Sequence, residues 1–284
     1  MKTLLAATLL LVAGAAVAAT PQQDWKAGIA DQNVSYAQKP HAMLKIQDSA
    51  YIGEGQAAVL TGRKGDAASW RWARSGSGAL TASIKGGKLS VSKAGDITRG
   101  IAIDSGIDVV GQPTQVAAGI QGWRLFVFNQ DASAAKAFTG VSYYPYDAAF
   151  RVAAKFTLDA KLPPRVFRTS RGTDKQFFHA GDARFTLKGK QVALPFYTDS
   201  NRPGDIREIS AFFTDGLTGK GAYGAGRYVD VADFGKFPPA GVTIDFNNAY
   251  NPNCARSAHF TCPVAVDAIP LDVTAGERDP HRVH

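Results

Sequence analysis

Apolar and polar residues alternate along short segments from His41 onward, and this period of two restricts the chain to a fold built mainly from strands. The alternation is clear in Leu80–Lys85 and again in Leu89–Val91. Two glycines, at 86 and 87, separate these segments, which is typical of a tight turn between antiparallel strands. The sequence therefore predicts a β-hairpin here.

A second hairpin is predicted from Arg184–Lys188 and Gln191–Phe196, with its turn at Gly189-Lys190. Trp123–Phe128 is apolar at almost every position, which indicates a central strand buried on both faces. The 29 glycines and the scarcity of helical patterns agree with these assignments. We therefore expect a mainly β protein, an antiparallel β-sandwich or barrel-like architecture with few short helices.

Glycine and proline near residues 111–122 suggest a place where the chain divides. Residues 19–40 are expected to form an N-terminal arm or helix, followed by an N-terminal β layer over 41–118. A C-terminal β unit would then span 119–284. The alternative is that 41–284 forms one continuous domain.

The first residues have the pattern of a secretory signal peptide. Lys2 precedes an apolar segment, Leu4–Val17, and small residues at 16 and 18 form an Ala-x-Ala cleavage site. The apolar segment is shorter than the roughly 20 residues that a membrane-spanning helix needs. We expect cleavage of residues 1–18 after Ala18 and a periplasmic or secreted protein without a transmembrane segment. The alternative is a signal anchor that stays attached.

The chain has a formal net charge of +8, and its basic residues are spread along the sequence. The densest groups are Arg71–Arg74 and Arg165–Arg171. For an exported protein this charge predicts weak attraction to anionic envelope surfaces and no nucleic-acid partner. The alternative is a solvated basic surface without a partner. The sequence leaves the oligomeric state open.

Cys254 and Cys262 are the two cysteines of the chain. In an oxidising compartment they are expected to form a structural disulfide, which would stabilise the fold by about 2.5 kcal/mol. The spacing differs from the Cys-x-x-Cys of thiol oxidoreductases. Zinc is not expected because only His259 lies nearby and a structural site needs four ligands. No metal or organic cofactor is predicted.

The segment from Asp245 to Pro263 contains the strongest candidate site. Val242, Ile244 and Phe246 form the apolar side of a strand, so Asp245 and residue 247 point the other way. Polar side chains at the end of a strand are often held in place for binding. The alternative is that these side chains only satisfy backbone groups of their own loop.

Five motifs resemble a bacterial and archaeal family of domains of unknown function. They are Phe-x-Asp-x-x-Thr-Gly (213–219), Tyr-Gly-x-Gly-Arg-Tyr (223–228), Asp-Phe-Asn-x-Ala-Tyr-Asn-Pro-x-Cys-Ala (245–255), Cys-Pro (262–263) and Ala-Gly-Glu (275–277). Looser similarity extends upstream to 122–125, 138–145, 44–54 and Trp25. Arg256, Ala258-His259 and the segment 264–267 depart from the family's pattern. The resemblance implies a site position and no activity.

Three functions are compatible with these patterns. The first is a binding module for a small polar or envelope-derived ligand, held by Arg227, Tyr228, Asp245, Asn247, Tyr250, Asn251 and Glu277. Arg227 would pair with the ligand, or with the carboxylate of Asp245 or Glu277. The second is a hydrolase that uses Asp245 and Glu277 as its two carboxylates, with His259 as an alternative base. The third is a structural or interaction protein in which the motif only stabilises the fold. No catalytic residue is assigned.

Overall fold

The computed structural model describes residues 19–232, 234–239 and 241–281, so the predicted signal peptide at 1–18 lies outside the described residues. No helix in this part of the chain is both long and apolar enough to cross a bilayer. The α-helices and strands are α1 (Pro21–Asn33), β1 (Ile46–Ile52), β2 (Ala57–Arg63), β3 (Asp66–Ala73), β4 (Leu80–Lys85), β5 (Lys88–Val91), β6 (Ile101–Asp104), β7 (Ile107–Ala117), β8 (Ile120–Asn129), α2 (Ser133–Lys136), β9 (Arg151–Leu158), β10 (Pro164–Arg168), β11 (Asp174–Leu187), β12 (Lys190–Thr198), β13 (Glu208–Thr214), β14 (Arg227–Ala232), β15 (Val242–Asp245) and β16 (Asp267–Ala268).

Helix α1 begins at a capping box. Thr20 Oγ1 accepts a hydrogen bond from the backbone N–H of Gln23 at 3.3 Å, and Gln23 Oε1 accepts one from the backbone N–H of Thr20 at 2.8 Å. Pro21 occupies the first helical turn, where its missing N–H costs nothing. A π-helical turn, Val34–Gln38, continues the helix. Residues 19–40 were expected to form an arm or a helix, and the structure has the helix.

The strands form three sheets. Sheet 1 has the order β1-β8-β7-β6, and sheet 2 has the order β3-β2-β4-β5. Sheet 3 has the order β14-β13-β12-β11-β9-β15, with β10 added to β11 and β16 added to β13. All strand pairs are antiparallel except β13 with β16. A backbone bridge between Tyr228 in β14 and Tyr250, shortly after β15, brings the two ends of sheet 3 together. The predicted mainly β fold is confirmed, with a nearly closed, barrel-like sheet.

Both predicted hairpins are present. In the β4–β5 turn Gly86 and Gly87 have φ values of 59° and 71°, which suits a turn with two left-handed residues. In the β11–β12 turn the same conformation falls on Lys188 and Gly189, with φ values of 47° and 80°. The second turn therefore lies one residue earlier than predicted.

Strand β8 is the centre of sheet 1, as predicted for Trp123–Phe128, because it pairs with β1 on one side and β7 on the other. The hairpin of β7 and β8 turns at residues 118–119. This is also the place of the proposed boundary between the N-terminal layer and the C-terminal unit. The first strand after that boundary therefore belongs to the same sheet as residues 41–118.

The side chains of β8 point alternately into two different hydrophobic clusters. Leu125 and Val127 pack in a cluster with Leu60 and Leu80 of sheet 2. Phe126 and Phe128 pack on the opposite face in a second cluster. The partners of this second cluster from the C-terminal half are Phe167, Tyr197, Phe212, Tyr228 and Phe260. Sheet 1 is thus the shared layer between sheet 2 and sheet 3. A third cluster fills the interior of sheet 3.

Candidate functional site

The segment after β15 has little regular structure and contains the predicted site. It forms short 3-10 turns at Phe246–Asn248 and Asn253–Ala255, and then the two-residue strand β16. A buried segment with few ladder hydrogen bonds needs other partners for its backbone N–H and C=O groups. Side chains of the predicted site residues supply many of them.

Asn247 is buried and joins three parts of the chain. Asp245 Oδ1 accepts hydrogen bonds from the backbone N–H and from Nδ2 of Asn247, at 3.0 and 2.8 Å. The Asn247 side-chain amide also hydrogen-bonds to the backbone of Asp147. Its Oδ1 accepts the Asp147 N–H at 2.9 Å, and its Nδ2 donates to the Asp147 carbonyl oxygen at 3.0 Å. Trp25 Nε1 in α1 donates to Asn247 O at 2.9 Å. The predicted neighbours Asp245 and Asn247 therefore do lie together, and they fasten α1 and residue 147 to the end of β15.

Arg227, at the start of β14, is 1% exposed. Its Nη2 donates to Asp215 Oδ2 at 2.5 Å, and the guanidinium also donates to backbone carbonyl oxygens in the segment 273–275. The prediction that its partner is the carboxylate of Asp245 or Glu277 is wrong. The partner is Asp215, which follows β13, the strand that pairs with β14. Its carboxylate is fully buried.

Glu277 is fully buried and pairs with Arg256. Its Oε2 accepts the backbone N–H of Asn251 at 2.8 Å, and Asn251 Nδ2 donates to Arg278 O at 2.8 Å. Burial raises the pKa of Glu277 above its ordinary value, whereas the Arg256 guanidinium and the hydrogen bonds from Asn251 oppose this shift. The predicted Glu277 thus anchors the loop around Asn251.

Gly276, in the Ala-Gly-Glu motif, makes this arrangement of Glu277 feasible. Its φ is 81°, in the left-handed region that favours glycine. A Cβ at this position would lie 2.6 Å from Ala249 O. Glu277 N–H donates to that same carbonyl at 2.7 Å. A side chain at 276 would therefore separate the two segments that carry Asn251 and Glu277.

Tyr228 and Tyr250 connect the two ends of sheet 3. Their backbones exchange two hydrogen bonds of 2.9 Å, and their rings pack edge to face at 5.7 Å. Tyr228 Oη donates to Pro263 O at 2.5 Å, and Tyr250 Oη donates to Asp230 Oδ2 at 2.8 Å. Burial raises the pKa of both phenols and of the Asp230 carboxyl. The tyrosines therefore act as neutral hydrogen-bond donors.

Cys254 and Cys262 are free thiols that lie side by side. The Cys262 sulfur accepts the backbone N–H of Cys254 at 3.4 Å. The hydrogen bond between the thiols lowers the pKa of Cys254 and raises that of Cys262. The structure thus differs from the predicted disulfide: the two sulfurs are neighbours but are not bonded. Covalent pairing stays a prediction.

All seven predicted ligand-binding residues hydrogen-bond to other protein groups. Two of them also line open space. Asp245 lines a cleft of about 360 Å³ with Arg151 and Asp230, and Tyr250 lines one of about 200 Å³ beside Trp25. Ligand binding by these residues stays a prediction. Full burial of Glu277 and its ion pair do not favour the hydrolase hypothesis, since a general acid or base must reach the substrate.

A larger cavity lies where the three sheets meet, away from the predicted residues. We call it the inter-sheet cavity; its volume is about 410 Å³. It is lined by residues 49–52 of β1, Ala57 and Ala58 of β2, 72–74 at the end of β3, Gln115 and Val116 of β7, and Arg171, Thr173 and Thr261 from the C-terminal half. This size and this position between layers are typical of small-molecule sites.

Two buried polar atoms of residues that line the inter-sheet cavity have no hydrogen-bond partner among the described residues. They are Nε1 of Trp72 and Oγ1 of Thr261, a residue that is 8% exposed. Such atoms cost free energy when they are buried without a partner, so most of them are paired in folded proteins. Both atoms are inaccessible to water, so a polar ligand in the cavity would supply their partners only after the Trp72 and Thr261 side chains turn toward it.

The segment 258–261 is attached to β1 beside this cavity. Ser49 Oγ lies 3.1 Å from His259 Nδ1, and Tyr51 Oη donates to His259 O at 3.0 Å. Arg171 donates to Ala258 O from the other side. Burial lowers the pKa of His259, the Asp48 carboxylate opposes this shift, and Arg171 and Arg71 reinforce it, so the neutral imidazole is favoured at neutral pH. These contacts fix Thr261 in the cavity wall.

Residues 136–278 match the family described as "Protein of unknown function (DUF1684)". The chain belongs to this family. The suspected membership in a family of domains of unknown function is thus confirmed, and the match contains all seven predicted site residues. Of the looser similarity, 138–145 lies inside the matched segment, whereas 122–125, 44–54 and Trp25 lie outside it.

The uncharacterized protein from gene locus rrnAC0354 of Haloarcula marismortui, solved by NMR in solution, is 29% identical to this chain. The similarity covers 51% of this chain and 79% of that protein, with a TM-score of 0.43. No match was found among curated proteins. The DUF1684 match covers β9 to β16, and so all of sheet 3 but neither of the N-terminal sheets. Only Arg171, Thr173 and Thr261 of the inter-sheet cavity fall inside it.

Proposed function

We propose that this DUF1684 protein is a binding module for a small polar ligand, and that the ligand occupies the inter-sheet cavity. The observation that carries the proposal is the cavity itself, whose wall combines two arginines, Arg74 and Arg171, with apolar side chains from β1, β2 and β7. A concave space with an apolar part and a few fixed polar groups is the usual form of a ligand site.

In this proposal the C-terminal motif has a structural role. Arg227, Asn247 and Glu277 form buried networks that hold the segments after β15 against sheet 3. Thr261 and its neighbours lie on the same stretch of chain and form part of the cavity wall. The motif thus positions the C-terminal side of the cavity without touching the ligand. This combines the predicted binding function with the alternative that the motif stabilises the fold.

Ala57→Trp is expected to abolish ligand binding, because the exposed Ala57 side chain lines the cavity and an indole there would fill it. Thermal shift and ligand-observed NMR against a library of polar metabolites provide the measurement. Ala102→Trp, at an exposed position in β6 outside the cavity, is the matched control. Compounds that stabilise the wild type and the control, but not Ala57→Trp, support the proposal. Hits that persist in Ala57→Trp, or a library without hits, would contradict it.

We further propose that the protein is exported, that residues 1–18 are removed, and that Cys254 and Cys262 then form a disulfide. The adjacent position of the two thiols supports this pairing. Intact mass of protein recovered from the envelope fraction is expected to show an N-terminus at Ala19 and no alkylation without reductant. Reduction should expose two alkylatable thiols and lower the free energy of unfolding by about 2.5 kcal/mol. A Cys254→Ser variant should be insensitive to reductant. Two freely alkylatable thiols in the exported protein would contradict the pairing.

A further inference from the structure

We infer that the ligand of the inter-sheet cavity has an oxyanion, a carboxylate or a phosphate, attached to a small apolar body. This inference rests on the proposed function and specifies its ligand class. It depends on the charges and the donors that the cavity wall presents.

The wall of the cavity has positive charge and no negative charge. Arg74 and Arg171 both line it, and none of the lining residues is an aspartate or a glutamate. Both arginines line the wall and are exposed. Among the described residues, no carboxylate forms an ion pair with either guanidinium. A guanidinium presents several N–H donors in a planar arrangement that matches carboxylate and phosphate oxygens. An oxyanion is therefore the group that this wall would hold best.

The unpartnered buried atoms have matching chemistry. Trp72 Nε1 can only donate a hydrogen bond, and the Thr261 hydroxyl can donate one. Turned toward the cavity, these two groups would add donors to those of the arginines, and oxyanions accept such donors. A ligand that is itself rich in donors, such as an ammonium, would leave Trp72 Nε1 unsatisfied and would be repelled by the two arginines.

The other residues of the cavity wall indicate the chemistry of the part of the ligand that carries the oxyanion. Ala50, Ile52, Ala58 and Val116 provide apolar surface. The amide of Gln115 is already bonded to the backbone of Gln176, so it does not add a free polar group. A ligand that filled this side with a polar group would lose hydrogen bonds to water without replacement. A short acyl chain or an aromatic ring is the complementary body.

A carboxylate close to the cavity wall is that of Asp48, whose Oδ2 accepts the backbone N–H of Trp72 at 2.6 Å. Asp48 does not line the cavity, and its carboxylate accepts a hydrogen bond from the backbone N–H of Trp72 and not from the indole. His259 is neutral at ordinary pH because burial lowers its pKa. The charge that a bound ligand meets directly is thus that of Arg74 and Arg171.

Matched pairs of probes test the inference by isothermal titration calorimetry and saturation-transfer NMR. They are hexanoate with hexanamide, benzoate with benzamide, and phenyl phosphate with phenol. We expect each anion to bind at least about tenfold more tightly than its neutral partner, and high salt to weaken only the anions. The carboxylate and phosphate pairs show which oxyanion is preferred.

Arg74→Gln and Arg171→Gln are each expected to weaken anion binding by about tenfold and to leave the neutral probes unchanged. Arg99→Gln, a loss of the same charge at an exposed residue outside the cavity, is the control. Thr261→Val should also weaken anion binding while the melting temperature stays the same or rises, because it removes a buried hydroxyl that has no partner. This variant separates a binding defect from a folding defect.

The outcomes distinguish the inference from the function on which it rests. If neutral probes bind as tightly as the anions, and Ala57→Trp abolishes both, the binding function stands and the oxyanion inference is overturned. Library hits that are blocked by Ala57→Trp, with no binding of any anionic probe, overturn it as well. If Ala57→Trp leaves all binding intact, the proposed function itself fails.

Discussion

Replacing Arg227 with methionine is expected to lower the free energy of unfolding by about 3–5 kcal/mol. The variant leaves the fully buried carboxylate of Asp215 without its cationic partner, and it removes donors from carbonyl oxygens in the segment 273–275. A buried charge without a partner is far more costly than the loss of a solvated one. Urea denaturation followed by tryptophan fluorescence measures the change, provided that the slope with urea concentration is preserved.

Arg63→Met is the matched control, because Arg63 forms an ion pair of 2.6 Å with Asp66 while its side chain is 81% exposed. This control is expected to lose less than about 1 kcal/mol. Adding Asp215→Leu to Arg227→Met should restore part of the lost stability, since it removes the unpartnered charge. A loss in Arg227→Met no larger than that of the control would contradict a structural role for this motif.

The strands and hairpins could be predicted because their signals are local. Gly86 and Gly87 accommodate positive φ without a Cβ clash, and the alternation on either side fixes which residues face the core. The second turn was misplaced by one residue because Lys188, a residue with a Cβ, takes a left-handed position. The tight hairpin requires a residue with positive φ at position 188, and this requirement outweighs the preference of lysine for negative φ.

The partner of Arg227 could not be read from the sequence, because strand register decides it. In the antiparallel pair of β13 and β14, Phe213 lies opposite Arg227. Asp215 follows two residues later, and this places its carboxylate near the guanidinium. Asp245 and Glu277 were equally plausible acids in the sequence, because neither the register nor the path of the C-terminal segment is visible there.

The inter-sheet cavity was missed for a similar reason: its lining residues run from Ser49 to Thr261 and belong to separate layers. A usable signal was nevertheless present. The two densest basic groups, Arg71–Arg74 and Arg165–Arg171, each end at a residue that lines the cavity. Two basic groups far apart in sequence can be brought to one site by the fold. Only the packing of sheet 1 between the other sheets shows that these two converge.

Arg256→Met is expected to give a stability loss that depends on pH, which tests the role of Glu277. Burial raises the pKa of Glu277 in the folded protein, and Arg256 opposes that shift, so removing the guanidinium should raise this pKa further. A carboxyl group whose pKa is raised by folding destabilises the fold when it is ionised, so stability falls as pH rises through its folded pKa. We expect a loss of about 3 kcal/mol at pH 8 and a clearly smaller loss at pH 5.

Adding Glu277→Gln to Arg256→Met is expected to remove this pH dependence, because the titrating group is then absent. The Arg227→Met variant is the comparison for a buried pair that does not involve Glu277. Equal losses for Arg256→Met at pH 5 and pH 8 would show that Arg256 acts through its contacts with the rings of Tyr36 and Phe138 rather than through Glu277. In the expected case, the Ala-Gly-Glu motif depends on Arg256 to keep its buried carboxylate tolerable to the fold.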